Sequence, residues 1–290
     1  MKILVTGHKG FIGKLLYSTL QELGYNVYGL DDDYLSEDDW FTSLPIWLNA
    51  LNPNAIFHVG ACSDTLEQDV NYMMERNFES TKILVDWSVR NSVPIIYSSS
   101  AANYGINNQY PANLYGWSKY AAEQYLLAKG GLALRYFNVY GPGEEDKGSM
   151  ASVAYQMMVK QQTNQEILLF PKKPQRDFIY VKDVVAANIH ALDNYQKLCG
   201  SYYEVGLGQA HTFEDVLDNL GIAYSYTPEQ AIPKGYQFYT CCNKYKWMPD
   251  WKPKFTLQAG LVDYKSNHFI SGGIGQFSDA SSMLNLNTVA

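Results

Sequence analysis

The stretch Lys2-Ile3-Leu4-Val5-Thr6-Gly7-His8-Lys9-Gly10-Phe11-Ile12-Gly13 decides the fold of this chain. Its first half is apolar, as in a buried strand, and an amphipathic helix is predicted to follow it to about Leu23. Glycines at 7, 10 and 13 let the backbone turn tightly and approach a pyrophosphate, which would bind the free N–H groups of the helix N-terminus. The spacing is G-x-x-G-x-x-G, and its place between a strand and a helix makes it informative.

A second predicted strand, Asn26 to Leu30, ends in the acidic run Asp31-Asp32-Asp33. An acidic side chain at that point accepts hydrogen bonds from an adenosine ribose and repels a 2′-phosphate. No Lys or Arg occurs from Val27 to Glu75, whereas Lys9, beside the second glycine, would be able to reach a 2′-phosphate. The cofactor is therefore predicted to be NAD or NADP, with Asp31 favouring NAD.

Further strand and helix units follow the first one. The predicted strands are Ala55 to Val59, Pro94 to Ser98 and Leu132 to Tyr136, with helices from Trp40 to Leu51 and from Val70 to Arg90. The segment from 34 to 52 is short for a full unit, so its third strand is expected to be rudimentary or missing. Repeated units of this length predict an α/β fold, a doubly wound parallel sheet that binds ligands at the carboxyl ends of its strands.

An acid–base pair is predicted in the stretch from Ser98 to Lys119. If a helix starts near Asn113, Tyr115 and Lys119 lie one turn apart on the same face. A positive charge next to a tyrosine favours the phenolate, and a bound oxidised nicotinamide would add a second charge. The hydroxyl of Ser100, at the end of the preceding serine run, would then hold the substrate oxygen.

The same spacing recurs at Tyr125 and Lys129. With 24 Tyr in 290 residues, one or two such pairs are expected by chance. This second pair precedes Gly130-Gly131 and is interpreted as an exposed tyrosine and a lysine at a helix C-terminus. The serine run and the glycine motif favour Tyr115 as the functional residue.

After Tyr140-Gly141-Pro142, glycine, proline and charged residues cluster through Gly148. A helix is predicted over 149 to 162, a strand from Arg176 to Val181, a helix from Lys182 to Tyr195, a strand from Ser201 to Val205 and a helix from Phe213 to Leu220. The predicted organisation is a cofactor-binding domain of residues 1–137 plus 177–203 and a smaller α+β substrate lobe of 138–176 plus 204–265. Residues 266–290 are predicted to form a flexible tail.

Composition excludes several classes of function. A formal charge of −7 argues against nucleic acids and anionic membranes as partners. No apolar run is long enough to cross a bilayer and no charged-then-apolar leader precedes the first strand, so a cytoplasmic location is expected. The four cysteines show no metal-ligand spacing, and no metal site is predicted. A homo-oligomer is left open.

Four motifs in this order resemble the extended short-chain dehydrogenases/reductases, the sugar-nucleotide epimerases and dehydratases. They are the glycine motif, Ser98-Ser99-Ser100, Tyr115-x-x-x-Lys119 and the string Arg135-Tyr136-Phe137-Asn138-Val139-Tyr140-Gly141-Pro142. Within that family the stretch Lys147-Gly148-Ser149-Met150-Ala151-Ser152 is similar to the ADP-glyceromanno-heptose 6-epimerases. The resemblance covers about residues 1 to 265 and implies a Rossmann fold, an NAD(P) cofactor and a nucleotide-sugar substrate.

The resemblance also implies the functional residues. The catalytic set is Ser100, Tyr115, Lys119 and Lys147, with Lys147 as a second acid or base. The cofactor set is Gly7, Gly10, Phe11, Ile12, Gly13, Asp31, Asp32, Gly60, Ala61, Cys62, Ser63, Asn77, Tyr115 and Lys119. The substrate set is Ser100, Asn138, Val139, Ser149, Leu169, Phe170, Pro171, Lys172, Arg176 and Tyr236.

The implied reaction is epimerization by transient oxidation to a ketone and re-reduction on the opposite face. A UDP- or GDP-sugar 4-epimerase shares the same core residues and remains an alternative. A 4,6-dehydratase is less well supported, because such enzymes carry Asp-Glu after the serine run, where this chain has Ala101-Ala102. A non-catalytic nucleotide sensor of this fold would commonly lack the tyrosine or the lysine, and both are present.

Overall fold

The computed structural model describes residues 1–36, 39–105, 110–232 and 236–269. The predicted tail lies outside the described residues beyond 269, and Ser266 to Phe269 belong to a π-helical turn. The strands are β1 Lys2–Thr6, β2 Asn26–Leu30, β3 Ala55–His58, β4 Ile95–Ser100, β5 Leu132–Tyr136, β6 Asn138–Tyr140, β7 Leu168–Leu169, β8 Gln175–Tyr180, β9 Tyr202–Val205, β10 Ala210–Thr212 and β11 Ser225–Tyr226.

The α-helices follow the predicted order. They are α1 Phe11–Glu22, α2 Trp40–Leu51, α3 Val70–Met74, α4 Ser80–Asn91, α5 Leu114–Ala128, α6 Val153–Gln162, α7 Val181–Asp193, α8 Tyr195–Leu198, α9 Phe213–Leu220 and α10 Leu257–Asp263. A π-helical turn, Glu75–Glu79, joins α3 to α4.

A six-stranded sheet in the order β2-β1-β3-β4-β5-β9 forms the centre of the fold. The strand pairs from β2 to β5 are parallel, with Ile3 opposite Val27 and Ser100 opposite Tyr136. Parallel strands are buried on both faces, and Ile3, Leu4 and Val5 of β1 are accordingly fully buried. The predicted Rossmann-type parallel sheet is confirmed. Among the described residues, only α2 and a 3₁₀ turn lie between β2 and β3, as the short segment predicted.

The chain forms two compact units. The first comprises Met1–Tyr136, Val185–Glu204 and Lys246–Trp251, and the second comprises Phe137–Val184, Val205–Tyr245 and the described chain from Lys252. The second unit holds a three-stranded sheet, β10-β8-β6, and a two-stranded sheet, β11-β7. Residues 177–184 lie in the second unit and 246–251 in the first, which differs from the predicted bounds. The assignment of one domain to the cofactor and the other to the substrate stays a prediction.

The predicted start of the helix at residue 149 is wrong. Gly148 has φ +53, a 3₁₀ turn covers Glu145–Met150, and α6 begins only at Val153. Ser152 caps that helix, because its side chain accepts a hydrogen bond from Tyr155 N–H at 3.2 Å.

Candidate active site

The glycine motif forms a backbone cradle at the carboxyl end of β1. Gly7 has φ +66, and a Cβ there would lie 2.5 Å from Gly60 Cα. A Cβ on Gly13 would lie 1.9 Å from Gly7 O, so α1 packs directly on the loop. Gly10 is the N-cap of α1, and no side chain caps that terminus. An uncapped helix start beside glycine backbone fits the pyrophosphate of a dinucleotide.

Asp31 lies at the end of β2 and contacts the glycine loop. Its Oδ2 accepts a hydrogen bond from Lys9 N–H at 2.8 Å, and its Oδ1 accepts one from Asp32 N–H at 3.0 Å. The Lys9 ammonium group is bound to Asp33 Oδ2 at 2.6 Å, and this hydrogen bond raises the pKa of Lys9. The structure thus holds the Asp31 carboxylate by main-chain donors and pairs the Lys9 charge with Asp33.

Asn77 ties the loop after β3 to the helix that carries Tyr115. Its Oδ1 accepts from Cys62 N–H at 2.7 Å, and its Nδ2 donates to Cys62 O at 2.9 Å and to Ser118 Oγ at 2.9 Å. Asn77 is buried within the π-helical turn, where the extra residue per turn re-aims side chains. Of the predicted loop residues Gly60 to Ser63, the structure therefore fixes Cys62 through Asn77.

His58 extends this network and was not predicted. Thr81 donates to Asn77 O at 2.7 Å, so its Oγ1 accepts from His58 Nε2–H at 2.8 Å. Thr6 Oγ1 accepts from Gly60 N–H at 3.1 Å and therefore donates to His58 Nδ1 at 2.7 Å. Burial lowers the pKa of His58 to about 3, so the ring is neutral. The sequence shows only a histidine ending an apolar strand, which carries no signal of this role.

Ser100 and Tyr115 are brought together by β4 and α5. The helix starts where predicted, because Asn113 is its N-cap and accepts from Gly116 N–H at 2.8 Å. A Cβ on Gly116 would lie 2.8 Å from Ala102 O, so only glycine lets α5 pack against the turn after Ser100. Ser100 Oγ accepts from Ala102 N–H at 3.1 Å, and the Ser100 hydroxyl lies close enough to the Tyr115 phenol to lower its pKa.

Burial governs the titration of both groups. The pKa of Tyr115 is raised by desolvation, and the nearby Ser100 hydroxyl opposes this shift. The pKa of Lys119 is lowered to about 7 by desolvation, with the Glu123 charge opposing. The net shift of the Tyr115 pKa is therefore upward, and not downward as expected, because desolvation is the larger effect.

A buried ion pair fixes the elements on either side of Ser100. Glu123 is fully buried in α5, and its carboxylate accepts from Arg135 Nε at 2.8 Å and Arg135 Nη2 at 2.5 Å. The same carboxylate accepts from Ser99 Oγ at 2.6 Å and Asn103 Nδ2 at 3.1 Å. Glu123 is not among the residues predicted from the sequence, although its position four residues after Lys119 places it on the same helix face.

The second tyrosine–lysine pair is used structurally. Tyr125 donates to Asp86 Oδ1 at 2.7 Å, and Lys129 lies 3.7 Å from the same atom. The hydrogen bond to Asp86 is the main reason that the pKa of Tyr125 is raised to about 12. The ring is half-buried rather than exposed as predicted, because it packs on the core between α4 and α5.

The second unit holds a buried cation without an anion. Arg176 on β8 is 1% exposed, and its Nη1 donates to Gln175 O at 3.0 Å. Its Nη2 has no hydrogen-bond partner in the part of the chain that the structure describes. Among the described residues, no carboxylate lies within ion-pair distance of it. Its guanidinium carbon lies 5.4 Å from the Tyr236 ring and 5.8 Å from the Phe213 ring, and burial lowers its pKa.

The other predicted substrate residues divide into two groups. Phe170 packs edge-on against Tyr236 with ring centroids 5.3 Å apart, next to the buried Leu169, so these side chains share one cluster with Arg176. Pro171 precedes Lys172, which has φ +73 and forms an ion pair with Glu229 at the surface. Asn138 and Val139 belong to β6, which pairs with β8, and the exposed Ser149 lies in the 3₁₀ turn before α6.

Lys147 lies in that 3₁₀ turn and is half-buried. Burial lowers its pKa, and the nearby Glu144 charge opposes the shift. Glu144 is fully buried and accepts from Gly141 N–H at 3.1 Å, Ser152 N–H at 2.5 Å and Ser152 Oγ at 2.7 Å. This carboxylate therefore closes the loop that carries Lys147.

The part of the chain that the structure describes contains neither a helix able to span a membrane nor a cluster able to hold a metal ion. No helix there has both the length and the apolar character needed to cross a bilayer. No group of three or more His, Cys, Asp or Glu side chains in those ranges is arranged to hold a metal ion.

The glycine cradle, the acidic residue after β2 and the Ser100–Tyr115–Lys119 arrangement define an NAD(P)-using enzyme of the extended short-chain dehydrogenase/reductase type. The model of the NAD dependent epimerase/dehydratase family matches residues 3–206, and the chain belongs to that family.

Three solved structures illustrate the likeness. ADP-L-glycero-D-manno-heptose-6-epimerase of Helicobacter pylori is 26% identical with a TM-score of 0.79, over 91% of this chain and 95% of that one. UDP-glucose 4-epimerase of Thermotoga maritima, solved with UDP-glucose, is also 26% identical with a TM-score of 0.79, over 91% and 98%. UDP-glucose 4-epimerase of Thermus thermophilus, solved with NAD, is 25% identical with a TM-score of 0.77, over 94% and 100%.

Proposed function

We propose that the protein is a nucleotide-sugar epimerase that oxidises its substrate transiently to a ketone and reduces it again on the opposite face. The observation that carries this proposal is the placement of Ser100 beside the Tyr115 phenol, one helical turn from the buried Lys119. A bound oxidised nicotinamide would accept the hydride and later return it, so net redox is zero. Gly7, Gly10, Gly13 and Asp31 are the residues that would hold the dinucleotide.

The protein groups handle protons and orientation. Ser100 holds the reacting substrate oxygen, and Tyr115 takes the hydroxyl proton as the carbon loses hydride. Lys119 supplies positive charge that favours the phenolate, and the oxidised nicotinamide adds to it. In the return half-reaction, the ketone oxygen receives a proton as hydride comes back, which regenerates the alcohol.

Arg176 supports a diphosphate-linked substrate. A guanidinium that is 1% exposed and retains an unpaired Nη2 is costly unless an anion binds it. The planar fork of arginine suits two phosphate oxygens, and the adjacent Phe170 and Tyr236 rings suit a base or a sugar face. We propose that a nucleoside diphosphate sugar fills this place, with Asn138, Val139, Ser149, Leu169, Pro171 and Lys172 as further contacts.

Lys147 decides which carbon is inverted. A 4-epimerase can return hydride to a ring ketone whose oxygen stays at one tyrosine, whereas a side-chain carbonyl at C6 swings about its bond to the ring and needs a second proton donor. The lowered pKa of Lys147 suits a lysine for that role. The proposal is therefore a 6-epimerase acting on an ADP-heptose, and the UDP- or GDP-sugar 4-epimerase is the alternative outcome.

Incubation with ADP-heptoses and with UDP- and GDP-hexoses, with product stereochemistry read by NMR, tests the proposal. Lys147→Met keeps the length of the side chain and removes the proton, so heptose epimerization should fall by about two orders of magnitude while cofactor binding is retained. Lys160→Met, on the helix α6, is the matched control and should leave turnover unchanged. Inversion of a hexose at C4 that is indifferent to Lys147→Met would establish the alternative.

A further inference from the structure

Tyr97 is a buried tyrosine whose hydroxyl group makes no hydrogen bond to any residue that the structure describes. It lies in β4, three residues before Ser100, and is 0% exposed. Its Oη has no partner among the described residues, and burial raises its pKa well above the usual value. A buried hydroxyl without a partner destabilises a fold, so hydrogen bonding does not account for this side chain. The aromatic ring of Tyr97, and not its hydroxyl group, is therefore the part that can act on neighbouring groups of the site.

The face of that ring lies against the catalytic lysine. Lys119 Nζ is 4.3 Å from the centroid of the Tyr97 ring, and Lys119 is 2% exposed. An ammonium group over an aromatic face is attracted by the ring quadrupole, and the attraction is stronger when both groups are removed from water. The contact is therefore of the kind that stabilises the charged form of a buried lysine.

The other groups near Lys119 stabilise its positive charge less than the Tyr97 ring does. His58, in the neighbouring strand and directly opposite Tyr97, is neutral because burial lowers its pKa to about 3. Glu123, one turn further along α5, gives its carboxylate to two hydrogen bonds from Arg135. Tyr115, one turn earlier, is a phenol whose pKa is raised by burial. Among the described residues, the Tyr97 ring is thus the electron-rich surface in direct contact with the ammonium group.

We infer that Tyr97 is a positioning residue for the reaction, because its ring face holds the Lys119 ammonium group charged and in place one turn from Tyr115. The inference rests on the proposed function for its catalytic meaning. The ring–ammonium contact itself is independent of any substrate. In an active enzyme, loss of the ring would leave Lys119 neutral over more of the pH range and would leave Tyr115 without its neighbouring charge.

The test measures the titration of Lys119 in the whole chain by NMR of lysine labelled with ¹³C at Cε. Lys119→Met assigns the resonance. Tyr97→Phe keeps the aromatic face and should leave the Lys119 midpoint within about half a pH unit. Tyr97→Leu removes the face and should lower the midpoint by about one unit. A chain with pentafluorophenylalanine at position 97 keeps the shape and reverses the ring quadrupole, and should lower the midpoint at least as far as leucine does.

The possible results test the ring–ammonium contact and the proposed function separately. Equal Lys119 midpoints in the phenylalanine, leucine and pentafluorophenylalanine chains would overturn it, whatever the substrate proves to be. If Tyr97→Leu does not fold, the comparison of phenylalanine with pentafluorophenylalanine decides alone. With an identified substrate, the alkaline limb of the pH–rate profile should move to lower pH in the pentafluorophenylalanine chain and not in Tyr97→Phe. A titration shift without epimerase activity would sustain the contact and count against the proposed function.

Discussion

Replacing Glu123 by glutamine should strongly destabilise the fold, because it removes the carboxylate from a buried ion pair. Glu123 is fully buried and Arg135 is 6% exposed, so solvent cannot take over the guanidinium charge. The carboxylate accepts five hydrogen bonds, two of them from Arg135. Breaking a buried pair by removing one partner costs about 3–5 kcal/mol, because the other charge is left uncompensated. That is the expected loss for Glu123→Gln.

Urea unfolding followed by circular dichroism measures this loss. The matched control is Glu79→Gln, which removes the partly exposed ion pair with Lys82 at 2.9 Å and should cost less than about 1 kcal/mol. The double variant Glu123→Gln with Arg135→Met removes both charges and should recover part of the loss, since no unpaired guanidinium remains. A loss below about 1 kcal/mol for Glu123→Gln, or a double variant less stable than the sum of both single ones, would refute the reasoning.

Three further predictions follow from the site. Tyr115→Phe should lower turnover by at least about a hundredfold, whereas Tyr125→Phe, at the matched spacing, should leave it near wild type; equal kinetic effects would overturn the choice of tyrosine. Lys119→Met should raise the free energy of unfolding most below pH 7, because a lysine with its folded pKa lowered to about 7 destabilises the fold there, and the gain should shrink as pH rises from 7 towards 10.5. Urea unfolding midpoints at pH 6 and pH 9 measure this gain. A gain that does not change with pH would contradict the prediction. In calorimetric titrations, NAD should bind roughly fivefold more tightly than NADP because of Asp31. Asp33→Asn frees the Lys9 ammonium group and should reduce this preference for NAD. Tighter binding of NADP than of NAD to the unaltered chain would reverse the assignment of the cofactor.

The local parts of the fold could be predicted from the sequence because their causes are local. The helix carrying Tyr115 starts after the predicted Asn113, since one side chain caps it. The helix Phe213–Leu220 was predicted to the residue, and its capping box of Thr212 and Asp215 explains the sharp start. The glycine motif likewise belongs to one short stretch of chain.

The parts that could not be predicted depend on tertiary partners. His58 and Glu123 acquire their roles from Thr81 and Arg135, which lie far away in sequence. The π-helical turn around Asn77 cannot be predicted from amino-acid composition, because it is associated with a tertiary contact in which the Asn77 amide accepts from Cys62 N–H. The start of α6 was placed too early because Ser149 and Ser152 both look like helix caps, and only the second makes the cap bond.

The first compact unit consists of three separate stretches of chain, which the ribosome synthesises at different times. Residues 1–136 are made first, but the strand beside β5 comes from Tyr202–Val205 and the unit also includes Lys246–Trp251. At about 5–20 residues per second, the strand Tyr202–Val205 is complete roughly 3 to 14 s after Tyr136. During that interval the nascent chain presents β5 as an open sheet edge, a template for pairing with another chain. Slow synthesis between 137 and 205 therefore prolongs the period of greatest aggregation risk for this protein.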